Sequence, residues 1–365
     1  MKYLFFPSKK HPSFILEYYV NRNFPQTDYL AFWNPVKKYK KVLKRILNLF
    51  YKYNLLRFIL QSSNHSNILL DNMFVDMKLK RNEFCVTALV GGKDRRNFVY
   101  QLTSHFGPIY FAKYVCDNTL GKKTNEAAII KSLDEIVENE LSYPKVLYEN
   151  TMGSESIMLT LALKGKHPVE SVFKTEYMNV LKSLIKPGEM RALLDLPRVR
   201  EMARNYDFGK IADNDCNNEF EMLLAELENV RCVPVVEHGD FSFWNILLSE
   251  TKIGLVDWEY AELKGVPCAD LFHFFLQNYL SQNTGPNIEK TIENIRGHFN
   301  IYMDGAKLFE YEDQSNEWIF RRLLLLKTYM LIHRDFIENK NKGDESVKKK
   351  LVLLKYLHNI TFQED

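Results

Sequence analysis

The sequence predicts an α+β fold with the strands first and the helices after. Three observations predict it. Short runs rich in Val, Ile, Phe, Tyr and Thr recur between residues 84 and 163. Helical spacing of apolar residues dominates from residue 172 onward. The chain of 365 residues, 46% hydrophobic and 26% charged, is long enough for two or three domains and can bury sizeable cores.

The elements follow in order. Residues 1–80 are aromatic and basic. Lys37-Lys38-Tyr39-Lys40-Lys41 leads into 42–60, which reads as a helix with a wide apolar face and interspersed basic residues. Such a helix packs on its own domain or lies on an anionic membrane surface. Peripheral membrane contact by residues 40–60 is therefore the second of two readings. Residues 84–93 and 97–102 read as strands joined by a turn at Gly91-Gly92. Residues 109–115 form a third apolar run with one charge in it, Lys113. Residues 124–133 read as a helix capped by Thr124, with Glu126 in its first turns. Residues 144–148 and 157–163 are two more strands, and Lys164-Gly165-Lys166-His167-Pro168 interrupts the chain.

Beyond that break, 172–184 reads as a helix stopped by Pro187-Gly188. Residues 189–229 read as helical around a polar turn at 213–218. Residues 232–236 are a short apolar strand. Residues 246–248 and 253–256 flank Ser249-Glu250-Thr251-Lys252 as a hairpin. Residues 270–279, 288–302, 316–337 and 347–357 carry helical spacing.

Composition excludes several function classes. A net charge of +3 is close to neutral for this size and argues against general nucleic-acid binding. The five cysteines are scattered, with no Cys-x-x-Cys, so no zinc site, disulfide framework or disulfide partner is expected, and a reducing cytoplasm is. No apolar run reaches membrane-spanning length, and Met1 to Pro7 is too short for a secretory signal.

The densest chemistry lies in His238-Gly239-Asp240-Phe241-Ser242-Phe243-Trp244-Asn245, followed by Gly254-Leu255-Val256-Asp257-Trp258-Glu259. Asp240 can accept a proton from an attacking hydroxyl. Asn245 and Asp257 offer oxygen ligands of the kind that suit a small hard cation such as Mg2+. If 246–256 is a hairpin, Asn245 precedes one strand and Asp257 follows its partner, so one ion can touch both. Asp and Asn are also ordinary loop residues. The His-Gly before them, the hairpin after and the second Asp at its far end favour phosphoryl transfer, which asks a protein for positioning and charge neutralisation.

His-Gly-Asp-x4-Asn with a downstream Val-Asp-Trp-Glu-Tyr-Ala resembles the aminoglycoside phosphotransferase and choline kinase group, the small-molecule branch of the protein-kinase-like fold. Asp270-Leu271 resembles the Asp-Leu pair that opens the next helix in these families. The resemblance implies a bilobal fold. A small antiparallel-sheet N-lobe with the hinge would cover residues 81–165, and a mostly helical C-lobe with the catalytic loop and acceptor site residues 166–365. Residues 1–80 would be an N-terminal extension of unclear role. It implies ATP and Mg2+ as cofactors and a small-molecule hydroxyl acceptor: an amino alcohol, thiamine, a sugar or an aminoglycoside-like compound.

The resemblance also implies roles. Asp240 would be the catalytic residue, and Asn245 and Asp257 would hold the metal. Lys113, held by Glu126, would contact the nucleotide phosphates. Gly91 and Gly92 would lie in the loop over those phosphates, although a plain Gly-Gly turn explains them equally. Leu161 and Leu163 would line the adenine at the hinge. His238 would brace the loop. Trp244, Trp258, Tyr260, Phe272, Phe274 and Phe275 are either acceptor-pocket walls or core, and Glu259 either faces a cationic acceptor or supports the site from behind. A pseudokinase that binds nucleotide or a partner without transfer is the alternative. A protein kinase fits less well, since no Asp-Phe-Gly or Ala-Pro-Glu segment follows Asn245.

Overall fold

The computed structural model describes residues 2–6, 14–17, 38–52, 61–64, 67–91, 97–104, 106–116, 126–135, 141–186, 188–206, 215–281, 287–312, 314–337 and 345–362. In chain order the first part contains β1 (Lys2–Phe6), β2 (Phe14–Glu17), α1 (Lys38–Lys52), β3 (Gln61–Asn64), α2 (Ile68–Asp76), β4 (Cys85–Gly91), β5 (Asn97–Ser104), β6 (Gly107–Cys116), α3 (Glu126–Leu133), β7 (Leu141–Ser142), β8 (Val146–Met152) and β9 (Glu155–Leu161). The second part contains α4 (Thr175–Ser183), β10 (Arg191–Ala192), α5 (Pro197–Asn205), α6 (Asp215–Glu226), β11 (Arg231–Cys232), β12 (Val235–Glu237), β13 (Ile246–Leu248), β14 (Ile253–Leu255), β15 (Glu262–Gly265), α7 (Ala269–Ser281), α8 (Ile288–Met303), β16 (Phe309–Glu310), α9 (Asn316–Ile337) and α10 (Glu345–Phe362). A strand-rich lobe precedes a helical one, the α+β order read from the sequence.

The first lobe is an eight-stranded sheet in the order β3-β1-β2-β4-β5-β6-β9-β8. All of its pairings are antiparallel. Residues before 81 supply three of these strands: β2 pairs with β4, Phe14 opposite Leu89, and β1 lies between β2 and β3. Val86, Tyr100, Leu102, Ala112 and Leu159 point to one face and pack with Leu69 and Met73 of α2, the period-2 alternation of a half-buried sheet. Asn67 caps α2 by accepting the Leu70 N–H at 2.9 Å.

α1 buries Leu47 and exposes Val42, Ile46 and Leu49. Residues 53–60, read as part of the same helix, lie outside the described residues, as do Gly92 and Thr124. Among the described residues no helix is long and apolar enough to cross a membrane.

A second core runs through the helical lobe. It includes Phe220, Trp258, Phe272, Phe274, Phe299, Leu324 and Tyr329. Two sequence expectations change here. The strand read at 232–236 is two strands, because Pro234 has no N–H to continue a ladder: β11 pairs with β10 and β16, and β12 with β15. Within 189–229, the short strand β10 precedes α5 and α6, its Arg191 and Ala192 pairing with β11.

Candidate active site

Residues 238–245 form the loop between β12 and β13. Gly239 is held at φ +80°, where L side chains are strained. A Cβ there would sit 2.0 Å from the Tyr260 carbonyl oxygen, so only glycine fits. Asp270, at the start of α7, clamps this turn: its Oδ2 accepts the His238 N–H at 2.6 Å and its Oδ1 the Gly239 N–H at 2.9 Å. His238 braces the loop from within. Its Nε2–H donates to the Val256 carbonyl at 3.0 Å, and its Nδ1 accepts the Asp240 N–H at 3.3 Å. Just before it, Glu237 is fully buried between Arg198 at 2.8 Å and Lys327 at 3.0 Å. Burial would raise the Glu237 carboxyl, but the two cations bring it down to about 2.

Asp240 is accordingly fixed on both oxygens. Oδ2 accepts from the Asn245 amide at 2.9 Å. Oδ1 accepts from His273 Nε2 at 2.9 Å and lies 3.3 Å from Arg334 Nη1. Burial opposes ionisation, yet the His273 hydrogen bond and the Arg334 charge hold this carboxyl well below the usual range. His273 is fully buried, and burial depresses its own pKa to about 4 despite Asp240. It is therefore neutral near pH 7.

β13 and β14 form the expected hairpin, Ile246 opposite Leu255, with Ser249 N–H bonded to the Lys252 carbonyl in the turn. The ladder ends with Val256 N–H donating to the Asn245 carbonyl at 3.0 Å, so Asp257 emerges next to Asn245. Asp257 takes a left-handed conformation, φ +67°, which costs a non-glycine residue about 1 kcal/mol. Trp258 then enters the core, its Nε1–H donating to the Leu255 carbonyl at 3.0 Å.

Lys113 comes to this point from the other lobe. It lies in β6 between Val99 of β5 and Met158 of β9. Its Nζ lies 2.9 Å from Glu126 Oε2, 2.9 Å from Asp257 Oδ1 and 3.0 Å from Glu259 Oε2. Burial alone would lower the ammonium, but these three carboxylates hold it well above the ordinary lysine value. Glu126 is raised, because burial and its acidic neighbours outweigh Lys113. Glu259, left open between two roles, supports Lys113.

Three carboxylates around one ammonium leave an excess of negative charge beside Asn245, whose amide nitrogen is spent on Asp240. No hydrogen bond engages Asn245 Oδ1 among the described residues. This donor set fits a divalent cation that takes its remaining oxygens from phosphates and water. Among the described residues no cluster of His, Cys, Asp and Glu forms a complete metal cage.

At the other end of β9, the strand stops at Leu161, two residues before the reading of the sequence. The Leu161 and Ala162 N–H groups donate to the Lys145 and Ile109 carbonyls. Leu163 reaches toward the hairpin: a Cβ on Gly254 would come within 3.2 Å of Leu163 Cδ1. Gly91 ends β4 opposite Asn97.

Asp240 also lines a cleft of about 360 Å³ between α7, α9 and α10. Trp244 lines it. Trp258, Phe272 and Phe274 do not, being core residues, and Phe275 stacks on Phe173. Sequence reasoning missed His273 and Arg334. The available signal was a single polar residue in an aromatic stretch, Leu271-Phe272-His273-Phe274-Phe275, and a charged triplet, His333-Arg334-Asp335, closing an apolar helix.

Residues 187–301, which hold the whole loop–hairpin–Asp270 arrangement, match the family described as APH, phosphotransferase enzyme family. The resemblance read from the motif is borne out there. The fold is that of the aminoglycoside phosphotransferases. Solved structures with this fold include an amicoumacin kinase in complex with AMP-PNP, Ca2+ and Ami (TM-score 0.53, 15% identity, 80% of this chain and 94% of that one). Another is a thermostable mutant of the aminoglycoside phosphotransferase APH(4)-Ia (TM-score 0.51, 13% identity, 76% of this chain and 94% of that one). No curated protein matches the chain in sequence.

Proposed function

We propose that the protein transfers the γ-phosphoryl group of ATP, in the presence of Mg2+, to a hydroxyl of a small molecule. The observation that carries this reading is the contact of Lys113 with Asp257 beside the loop that bears Asp240 and Asn245. Solved structures of the same fold that hold AMP-PNP support the choice of nucleotide.

In this reading adenine lies against residues 159–163 with Leu161 and Leu163 as apolar contacts. The Leu163 N–H, which has no hydrogen-bond partner among the described residues, is the natural donor to the ring edge. Gly91, at the end of β4, and Gly92, outside the described residues, are the proposed contacts over the phosphates. Lys113, oriented by Glu126, contacts them as a point charge. Asn245 and Asp257 would hold Mg2+, whose bound charge offsets that developing on the phosphoryl oxygens.

Asp240 orients the acceptor hydroxyl. A carboxylate held this acidic is a weak early base. It accepts the proton late, as the new O–P bond acidifies the hydroxyl, which a loose transition state permits. The resemblance implies an amino alcohol, thiamine, a sugar or an aminoglycoside-like compound as acceptor, and hydroxy acids and sugar phosphates offer the same hydroxyl. The test is ADP release by the purified chain over a panel of these. The reading expects stimulation by an acceptor and a requirement for Mg2+; ADP release that ignores both contradicts it.

A further inference from the structure

The cleft beside Asp240 contains the means to recognise a cation, but the protein's own cations already occupy them. Proteins hold cationic ligands with unpaired carboxylates or with aromatic faces. The cleft is lined by two carboxylates, Asp240 and Asp335. Asp240 is engaged by His273 and Arg334. Asp335, almost fully buried, is held by Lys350 at 2.5 Å. The nearby aromatic face, Tyr260, is covered by the Arg334 guanidinium, 3.6 Å from the ring centroid. An aminoglycoside or a quaternary ammonium would meet Arg334 and Lys350 where it needs negative charge.

The rest of the lining suits a hydroxylated ligand: Gln277, Ser281 and Ser346 offer hydrogen bonds, and Trp244 a flat surface. Arg334 lines the cleft with 27% of its side chain exposed and lies 3.3 Å from the oxygen of Asp240. A guanidinium is a planar, permanently charged fork that binds carboxylate or phosphate oxygens in pairs. Its stacking on Tyr260 fixes the plane of that fork.

We propose that the acceptor carries an anionic group, a carboxylate or a phosphate, that Arg334 binds within a few bonds of the hydroxyl oriented by Asp240. This rests on the phosphotransfer reading above. Arg334 is then the specificity-determining residue. It bridges the catalytic carboxylate and the substrate anion, while Lys350, paired with Asp335, leaves that second carboxylate unable to repel the anion as a bare charge would. The acceptor is a hydroxy acid or a sugar phosphate rather than an amine.

The experiment is calorimetric titration of the full chain, loaded with AMP-PNP and Mg2+, followed by transfer assays with ATP. Gluconate and glucose 6-phosphate are compared with glucose, and choline and kanamycin serve as cationic probes. The proposal expects one of the anions to bind roughly 10- to 100-fold more tightly than glucose, the range for a charge-assisted contact. Gluconate or glucose 6-phosphate as the tighter ligand identifies the carboxylate or the phosphate. Arg334→Gln should erase that preference and Arg334→Lys retain part of it, each in a chain whose cooperative melting transition shows that it is folded. No binding of either anion, equal binding of choline or kanamycin, or a preference that survives in Arg334→Gln overturns it. Transfer to glucose or kanamycin without anion preference sinks this inference and leaves phosphotransfer standing. Anion preference without transfer to any bound acceptor sinks the phosphotransfer reading instead.

Discussion

Lys113 Nζ lies 2.9 Å from Asp257 Oδ1 although 144 residues separate them in the chain. The contact joins the strand lobe to the end of the hairpin that follows the loop bearing Asp240 and Asn245. It also makes Lys113 the shared counter-ion of Glu126, Asp257 and Glu259.

Lys113→Met should therefore weaken both stability and nucleotide binding. Removing one partner of a buried ion pair costs about 3–5 kcal/mol. Asp257 is 43% exposed and Lys113 21%, so solvent screening reduces the expectation to about 1–3 kcal/mol. The carboxyl of Glu126 already titrates above its ordinary range. A raised carboxyl costs the folded state stability above that pKa, so the deficit should shrink as pH falls toward 5. Urea denaturation at pH 7.5 and 5 reads both effects; an unchanged midpoint at pH 7.5 would contradict them.

Gly239→Ala should disable the loop while leaving the helical core folded. Its Cβ would collide with the Tyr260 carbonyl, and the backbone lies at φ +80°. The variant must open the turn that Asp270 clamps, at a cost of about 2–4 kcal/mol. A lower melting temperature together with a fall in turnover of at least about 100-fold is expected. Native turnover would mean that the loop geometry does not matter.

The His273–Asp240 pair sets an acid limit. His273 titrates near 4 in the folded protein against about 6.5 in an unfolded chain. A depressed base contributes stability that is full above pH 6.5 and lost as pH falls toward 4, by up to about 1.4 kcal/mol per pH unit. His273→Gln keeps a donor for Asp240 and removes the titration. Its stability should fall less steeply between pH 6.5 and 4 than that of the native chain; parallel curves would exclude His273 as the source.

Much of this arrangement was legible because it is local. The hairpin 246–255 follows from two β-prone runs around a polar turn, and its register puts Asn245 beside Asp257. Long-range partners were not legible. Nothing near Phe14 announces that β2 will pair with β4, and strand neighbours depend on tertiary packing that local sequence does not encode. Arg334 reaches Asp240 from α9, 94 residues away, by a helix packing that no spacing rule reports. The aromatic residues near the motif stayed open between two readings. Their type marks a wall or a core equally well, and burial alone decides that Trp258, Phe272 and Phe274 are core.

The most direct measurement is transfer of label from γ-phosphate-labelled ATP to an acceptor, in the native chain and in Asp240→Asn. Asparagine keeps the shape and the contact with Asn245 but cannot take the proton. The account predicts labelled acceptor from the native chain, about 100- to 10,000-fold slower transfer in the variant, and nucleotide affinity unchanged in both. Transfer at the native rate by Asp240→Asn would contradict the assignment of Asp240 and the mechanism built on it.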